Sequence, residues 1–285
     1  MQDSGLVPAG AALMGAAVLF LATACATTGH HDGPGAKVAA SEQARGFVRR
    51  PLKGGAFDLL LLTRQSRPAE TLMVYIEGDG APWTNPFHPP RDPTPHNPVG
   101  FSLAAADSSP LVAYLGRPCQ YLDAAALAAC DSAYWTGRRF APEVVAAYDD
   151  AVTRLKVLVG AQRVHLIGYS GGGVIATLVA MRRNDIERLI TVAAPLAVAD
   201  WVAWHGLSPL TGSLDPRTES AASAPSPPNV HLAGARDEIV PVRIIEGFVR
   251  AKGGRLEVVA GFDHECCWGK SWKQILESTI EGRGR

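Results

Sequence analysis

Residues 168–172 read Gly168-Tyr169-Ser170-Gly171-Gly172, a G-x-S-x-G pattern between two apolar runs. A serine hydroxyl flanked by such small residues can project from a tight turn without steric conflict. It is a weak nucleophile unless a neighbouring base takes its proton. His264, in "GFDHECCW", can supply an imidazole that accepts that proton and returns it to a leaving group. Asp237, in "GARDEIVP", can orient the imidazole. Glu238 and Asp200 compete for that role, whereas Asp263, adjacent to the histidine, is badly placed to meet its side chain. Charge developing on a substrate oxygen needs N–H donors. Gly171, following the serine, offers one, and Asp79 in Glu77-Gly78-Asp79-Gly80 offers a second, unless that stretch is simply a turn.

The same glycines do not fit a phosphate cradle. Val174 and Ile175 stand where a P-loop needs Lys and Ser or Thr, and Ser170 stands where a dinucleotide fingerprint needs glycine.

Each of these residues follows a short apolar run. "FDLLLLT", "TLMVYIEG", "LVAYLG", "RVHLIG", "ERLITVAA", "NVHLAGA" and "LEVVAG" are rich in strand-forming residues. Between them, "FSLAAADSSP", 142–160, "GGVIATLVAMRR", "VRIIEGFVRAKG" and 270–281 are expected to form helices. The alternation predicts an α/β fold with a mostly parallel sheet, whose working residues lie past the carboxyl ends of the strands. Residues 117–140 and 195–228 read as irregular, and the Pro-rich stretch 81–98 reads as an ordered loop.

In their order and strand context, "GYSGG", "GARDEIVP" and "GFDHECCW" resemble the α/β-hydrolase-fold serine hydrolases, over most of the chain from residue 46. The resemblance implies an eight-stranded, mostly parallel sheet with helices on both faces. It also implies Ser170 as nucleophile, Asp237 as acid partner and His264 as base. No large cap insertion is visible in the sequence. One departure is that "EGDG" stands where many members carry His-Gly, so Glu77 replaces the usual histidine. The expected activity is cleavage of an ester or related acyl bond, with a small-molecule acyl substrate and no cofactor. A non-catalytic envelope binding module on the same fold is the alternative. A redox role for Cys266-Cys267 is a third reading. Trp83, Phe87, Trp201 and Trp204 are candidates for an apolar acyl wall, or ordinary packing. Arg91, Asp92, Thr94, His96 and Asn97 either read a polar substrate group or only fix their loop.

The chain carries 27 basic and 27 acidic residues, so no electrostatic footprint for nucleic acid exists. Ala9 to Ala24 is a continuous small and apolar run that ends at Cys25. It suits a signal-peptide h-region, and "LATAC" resembles a bacterial lipobox that would acylate Cys25. The site three before the cysteine holds Ala22 where Leu is usual, and residues 1–8 lack Lys and Arg. The expected organisation is therefore a signal segment over 1–25, a Gly-rich tether over 26–45 and a hydrolase domain over 46–285. The chain would be exported and held at the membrane by its lipid. His30, His31 and Asp32, adjacent in the tether, are not expected to bind metal. In an exported chain Cys119 and Cys130, flanking a short loop, form a plausible disulfide. Cys266 and Cys267 would bond each other, stay reduced or cross-pair. With His264 they lack zinc-site spacing.

Overall fold

The computed structural model describes residues 42, 43, 45–81, 88–220 and 227–281. The signal segment, Cys25, the tether through residue 41, Trp83 and Phe87 lie outside the described residues.

Eight strands form one sheet: β1 (Val48–Gly54), β2 (Phe57–Gln65), β3 (Thr71–Ile76), β4 (Leu111–Leu115), β5 (Arg163–Tyr169), β6 (Ile186–Val192), β7 (Asn229–Gly234) and β8 (Arg255–Val259). Their spatial order is β1-β2-β4-β3-β5-β6-β7-β8. β1 with β2 and β2 with β4 pair antiparallel, and every later pair is parallel. Central strands such as β4 and β5 are buried almost throughout, as expected where helices cover both faces of a parallel sheet.

The helices are α1 (Val99–Ala106), α2 (Ala124–Ala128), α3 (Pro142–Val159), α4 (Gly171–Ala180), α5 (Val198–Trp204), α6 (Val242–Lys252) and α7 (Trp268–Glu281). Strand alternation divides the core between the two faces. Leu72, Val74 and Ile76 of β3 pack with α3 and α4 residues such as Val145, Tyr148 and Val174. Met73 and Tyr75 of the same strand pack with Leu103, Trp268 and Trp272 of α1 and α7. α3 starts with Pro142 at its first turn and stops at Gly160, whose φ of 69° is left-handed.

Three of these elements were not legible in the sequence. α2 lies inside 117–140, read as irregular, and is only 5 residues long. β1 reads "VRRPLKG", charged and interrupted by proline, because it is an edge strand that only β2 supports. α5 lies inside 195–228, read as irregular, and is only 7 residues long. Among the described residues, 193–228 holds no inserted domain, and no helix is long and apolar enough to cross a membrane.

Candidate active site

Ser170 sits between the end of β5 and the first residue of α4. Its backbone has φ 49° and ψ −125°, a strained conformation for a residue with a side chain. A hydrogen bond from its N–H to the carbonyl of Val192 (2.8 Å) anchors it. The glycines around it answer to close approach. A Cβ on Gly172 would overlap the carbonyl oxygens of Ile76 and Glu77, and one on Gly168 would overlap Gly172. The turn can pass this close to β3 only without side chains there.

Asp237 follows β7 and His264 follows β8, so all three side chains emerge at the carboxyl edge of the sheet. His264 Nε2 lies 3.1 Å from Ser170 Oγ, and His264 Nδ1 lies 2.9 Å from Asp237 Oδ2. The Asp237 side chain is wholly buried. Its other oxygen accepts the N–H groups of Ile239 (2.9 Å) and Val240 (2.7 Å), so its position is fixed from both sides. Two other carboxylates were candidates for this place. Asp200 pairs instead with Arg217, and Glu238 is exposed on the loop one residue further on.

The turn carrying His264 is itself braced. Asp263 Oδ1 accepts the N–H groups of Glu265 (3.0 Å) and Cys266 (2.7 Å). The Cys266 N–H, more than any other group, holds the Asp263 carboxyl below its usual range. The indole of Trp268 and the hydroxyl of Tyr169 both donate to the His264 carbonyl, each at 3.1 Å. Cys266 and Cys267 are bonded to each other, and Cys119 is bonded to Cys130.

The loop after β3 lies over Ser170. A Cβ on Gly78 would stand 3.3 Å from Ser170 Cβ and 3.1 Å from the Tyr169 ring. Gly171 begins α4, so its N–H is one of the helix amides that has no intrahelical acceptor. The backbone of Asp79 follows Gly78 directly. Asp79 and Gly171, the residues expected to supply the N–H donors, are in close approach, since a Cβ on Gly171 would stand 2.0 Å from Asp79 Oδ1.

Glu77 is buried, and its carboxylate accepts four donors. They are the N–H groups of Gly78 (2.9 Å), Gly100 (3.0 Å) and Phe101 (3.1 Å), and the hydroxyl of Tyr114 (3.0 Å). Burial pushes its pKa up, against the pull of those bonds. α1 has Pro98 at its start and no side-chain cap of its own, so Glu77 caps this helix from another part of the chain. The sequence marked Glu77 only as a departure from His-Gly. Its partners, 23 or more residues distant apart from Gly78, have no local signal.

Of the remaining candidates, Trp201 donates its indole N–H to the Ile239 carbonyl (2.8 Å) and so braces the Asp237 loop. Trp204 is half exposed under the Arg243 guanidinium. Asp92 accepts the N–H of Thr94, and Thr94 accepts that of Tyr121, so both hold their loop. Arg91 and His96 are exposed. Asn97 donates to Glu265 (2.8 Å). A cleft of about 880 Å³ between α1 and the start of α7 is lined by Asn97, Phe101, Cys266 and Lys270 among others, and none of Ser170, Asp237 and His264 lines it.

No family model matches the sequence, and no curated protein matches it. Solved structures do match its fold. An alpha-beta serine hydrolase homologue from Coxiella burnetii superposes with a TM-score of 0.53 at 18% identity, covering 83% of this chain and 97% of that one. A bacterial membrane phospholipase A gives 0.54 at 17% identity, over 88% and 92%. An esterase from Pyrococcus furiosus gives 0.56 at 12% identity, over 84% and 92%. At these identities the likeness establishes the fold, which is that of the α/β hydrolases.

Proposed function

We propose that this α/β-hydrolase-fold protein is a serine hydrolase that cleaves an ester or related acyl bond through an acyl-enzyme. The observation that carries the reading is the continuous relay Ser170 Oγ–His264 Nε2–Asp237 Oδ2, with steps of 3.1 and 2.9 Å. Three side chains from three separate loops meet in hydrogen-bond range and in the polarity the chemistry needs.

In this reaction His264 Nε2 takes the Ser170 proton as Oγ attacks the acyl carbon. Asp237 holds the Nδ1–H tautomer and stabilises the imidazolium that forms. The former carbonyl oxygen, now an oxyanion, is held by the N–H groups of Gly171 and Asp79 at the positive end of α4. His264 then protonates the leaving group, and the acyl group stays on Ser170. A water molecule, deprotonated by His264, attacks that ester, and collapse returns the proton to Ser170.

A fluorophosphonate probe tests the nucleophile. Labelling of the wild type and not of Ser170→Ala supports the enzyme. Failure to label the wild type favours a binding module. A panel of acyl esters of graded chain length then assigns the preferred acyl group.

Export and a lipid anchor at Cys25 belong to the same reading. They are supported by the apolar run that ends at Cys25 and by two disulfides, which fit an oxidising compartment. Radiolabelled palmitate entering the wild type but not Cys25→Ala is the expected result. Unlabelled, freely released protein would leave plain secretion.

A further inference from the structure

The carboxylate of Asp79 does not point into solvent. It is gripped by two arginines from the segment that joins β4 to α3. Arg117 Nη1 donates to Oδ1 at 2.8 Å and Arg139 Nη1 donates to Oδ2 at 2.9 Å. Both guanidiniums are held in turn by main-chain carbonyls. Arg117 Nη2 bonds the carbonyl of Arg139 (2.6 Å), and Arg139 Nε bonds that of Thr136 (2.7 Å). The Arg117 side chain is 4% exposed and that of Arg139 12%. Burial pushes the Asp79 carboxyl up, but the charges of Arg139 and Arg117 outweigh it and leave the pKa below the usual range.

This cluster lies against the nucleophile turn. The Asp79 Oδ1 atom occupies the space where a Cβ on Gly171 would stand. The glycine after the serine therefore makes room for a carboxylate, and the contact joins the two residues whose N–H groups would meet the oxyanion. Gln120 adds a third restraint, donating to the Gly78 carbonyl (3.1 Å) and the Pro93 carbonyl (3.3 Å) while its own Oε1 accepts the Arg117 N–H. Gly80, at φ 97°, completes the turn against the Pro93 carbonyl, where any side chain would collide.

We infer that Asp79, clamped by Arg117 and Arg139, is a positioning residue that sets the second oxyanion donor. The inference rests on the acyl-transfer reading above. The same grip fixes the main chain of residues 78–80, so that the Asp79 N–H needs no reorganisation when the tetrahedral intermediate forms.

The test compares wild type, Asp79→Asn, Arg139→Gln and Arg139→Lys on one activated acyl ester, together with inhibition by phenylboronic acid, which forms a tetrahedral adduct on the serine. Asp79→Asn keeps the shape and removes the charge. We expect kcat to fall about 10- to 100-fold with KM within about twofold, below the full loss of an oxyanion donor. The boronate inhibition constant should rise in parallel. Arg139→Lys should recover part of both, and Arg139→Gln should resemble Asp79→Asn. If Asp79→Asn does not fold, Arg139→Gln carries the test, since Arg117 still holds the carboxylate. A folded variant with lowered melting temperature but unchanged kcat and boronate affinity overturns the positioning role and leaves the hydrolase reading intact. No turnover by the wild type on the whole ester panel overturns both.

Discussion

The hydroxyl of Tyr169 donates to the main-chain carbonyl of His264 at 3.1 Å, and the two rings stand 5.3 Å apart. This bond joins the residue before the candidate nucleophile to the candidate base, 95 positions later in sequence. The relay is thus held by the main chain as well as by its own side chains. Tyr169→Phe keeps the ring and removes the bond, while the Trp268 indole still holds the carbonyl. One neutral hydrogen bond contributes about 1 kcal/mol. The expected outcome is a fall in kcat/KM of about fivefold, with the melting temperature lowered by a few degrees at most. Steady-state kinetics on an activated ester, read beside a thermal melt, check it.

Asp237 has two duties, and they can be separated. Oδ1 braces Ile239 and Val240, and Oδ2 faces His264 Nδ1. An asparagine can keep the first duty through its carbonyl oxygen. Its amide would then present a donor to Nδ1 and favour the wrong imidazole tautomer. Asp237→Asn should therefore melt close to wild type and lose kcat by about 10⁴-fold. His264→Ala should lose a comparable or larger factor, and the double variant should cost little more, because such residues act as a unit. Additive losses would contradict the shared relay.

Glu77 accepts four donors and donates none. Glu77→Gln places an amide NH₂ among groups that all donate, so at least one partner is lost in a buried place. The expected cost is about 2–4 kcal/mol of stability, read as a lowered urea midpoint. Glu77→Ala should cost at least as much, since it uncaps α1 entirely. A midpoint within experimental error of wild type for both variants would show that the loop after β3 holds itself.

His231 on β7 supplies a pH-dependent term away from the site. It is fully buried, bonds Thr191 Oγ1 through Nδ1 (2.9 Å), and has its pKa pushed down by burial to about 4. The folded state therefore binds its proton less readily than the unfolded state does. The sign follows from linkage: this contribution is complete above pH about 6.5 and is lost as the pH falls through about 4. Within that window stability should fall by up to about 1.4 kcal/mol per pH unit from this group. His231→Gln should flatten that part of the profile. Denaturant titrations at several pH values measure the difference.

The strands before Ser170 and Asp237 were legible because β5 and β7 are nearly continuous buried runs, and β8 before His264 through its β-branched Val258 and Val259 despite Arg255 and Glu257. Legibility ended where position depends on distant partners. Nothing near Arg117 or Arg139 announces that both reach Asp79, 38 and 60 residues away. β1 was hidden because an edge strand with one exposed side tolerates Arg49, Arg50 and Pro51. The pairing of Cys266 with Cys267 was one of three open possibilities, and adjacency in sequence alone did not select among them.

The sheet ends in two very different edges, and the one at β1 discourages docking of a foreign strand. At one end β1 carries Arg49, Arg50 and Lys53, and Pro51 removes a main-chain donor within the strand. At the other, β8 presents Arg255 and Glu257, bonded to each other across its surface. Pro51 interrupts the row of amides along β1, so that edge offers no unbroken ladder to a second strand.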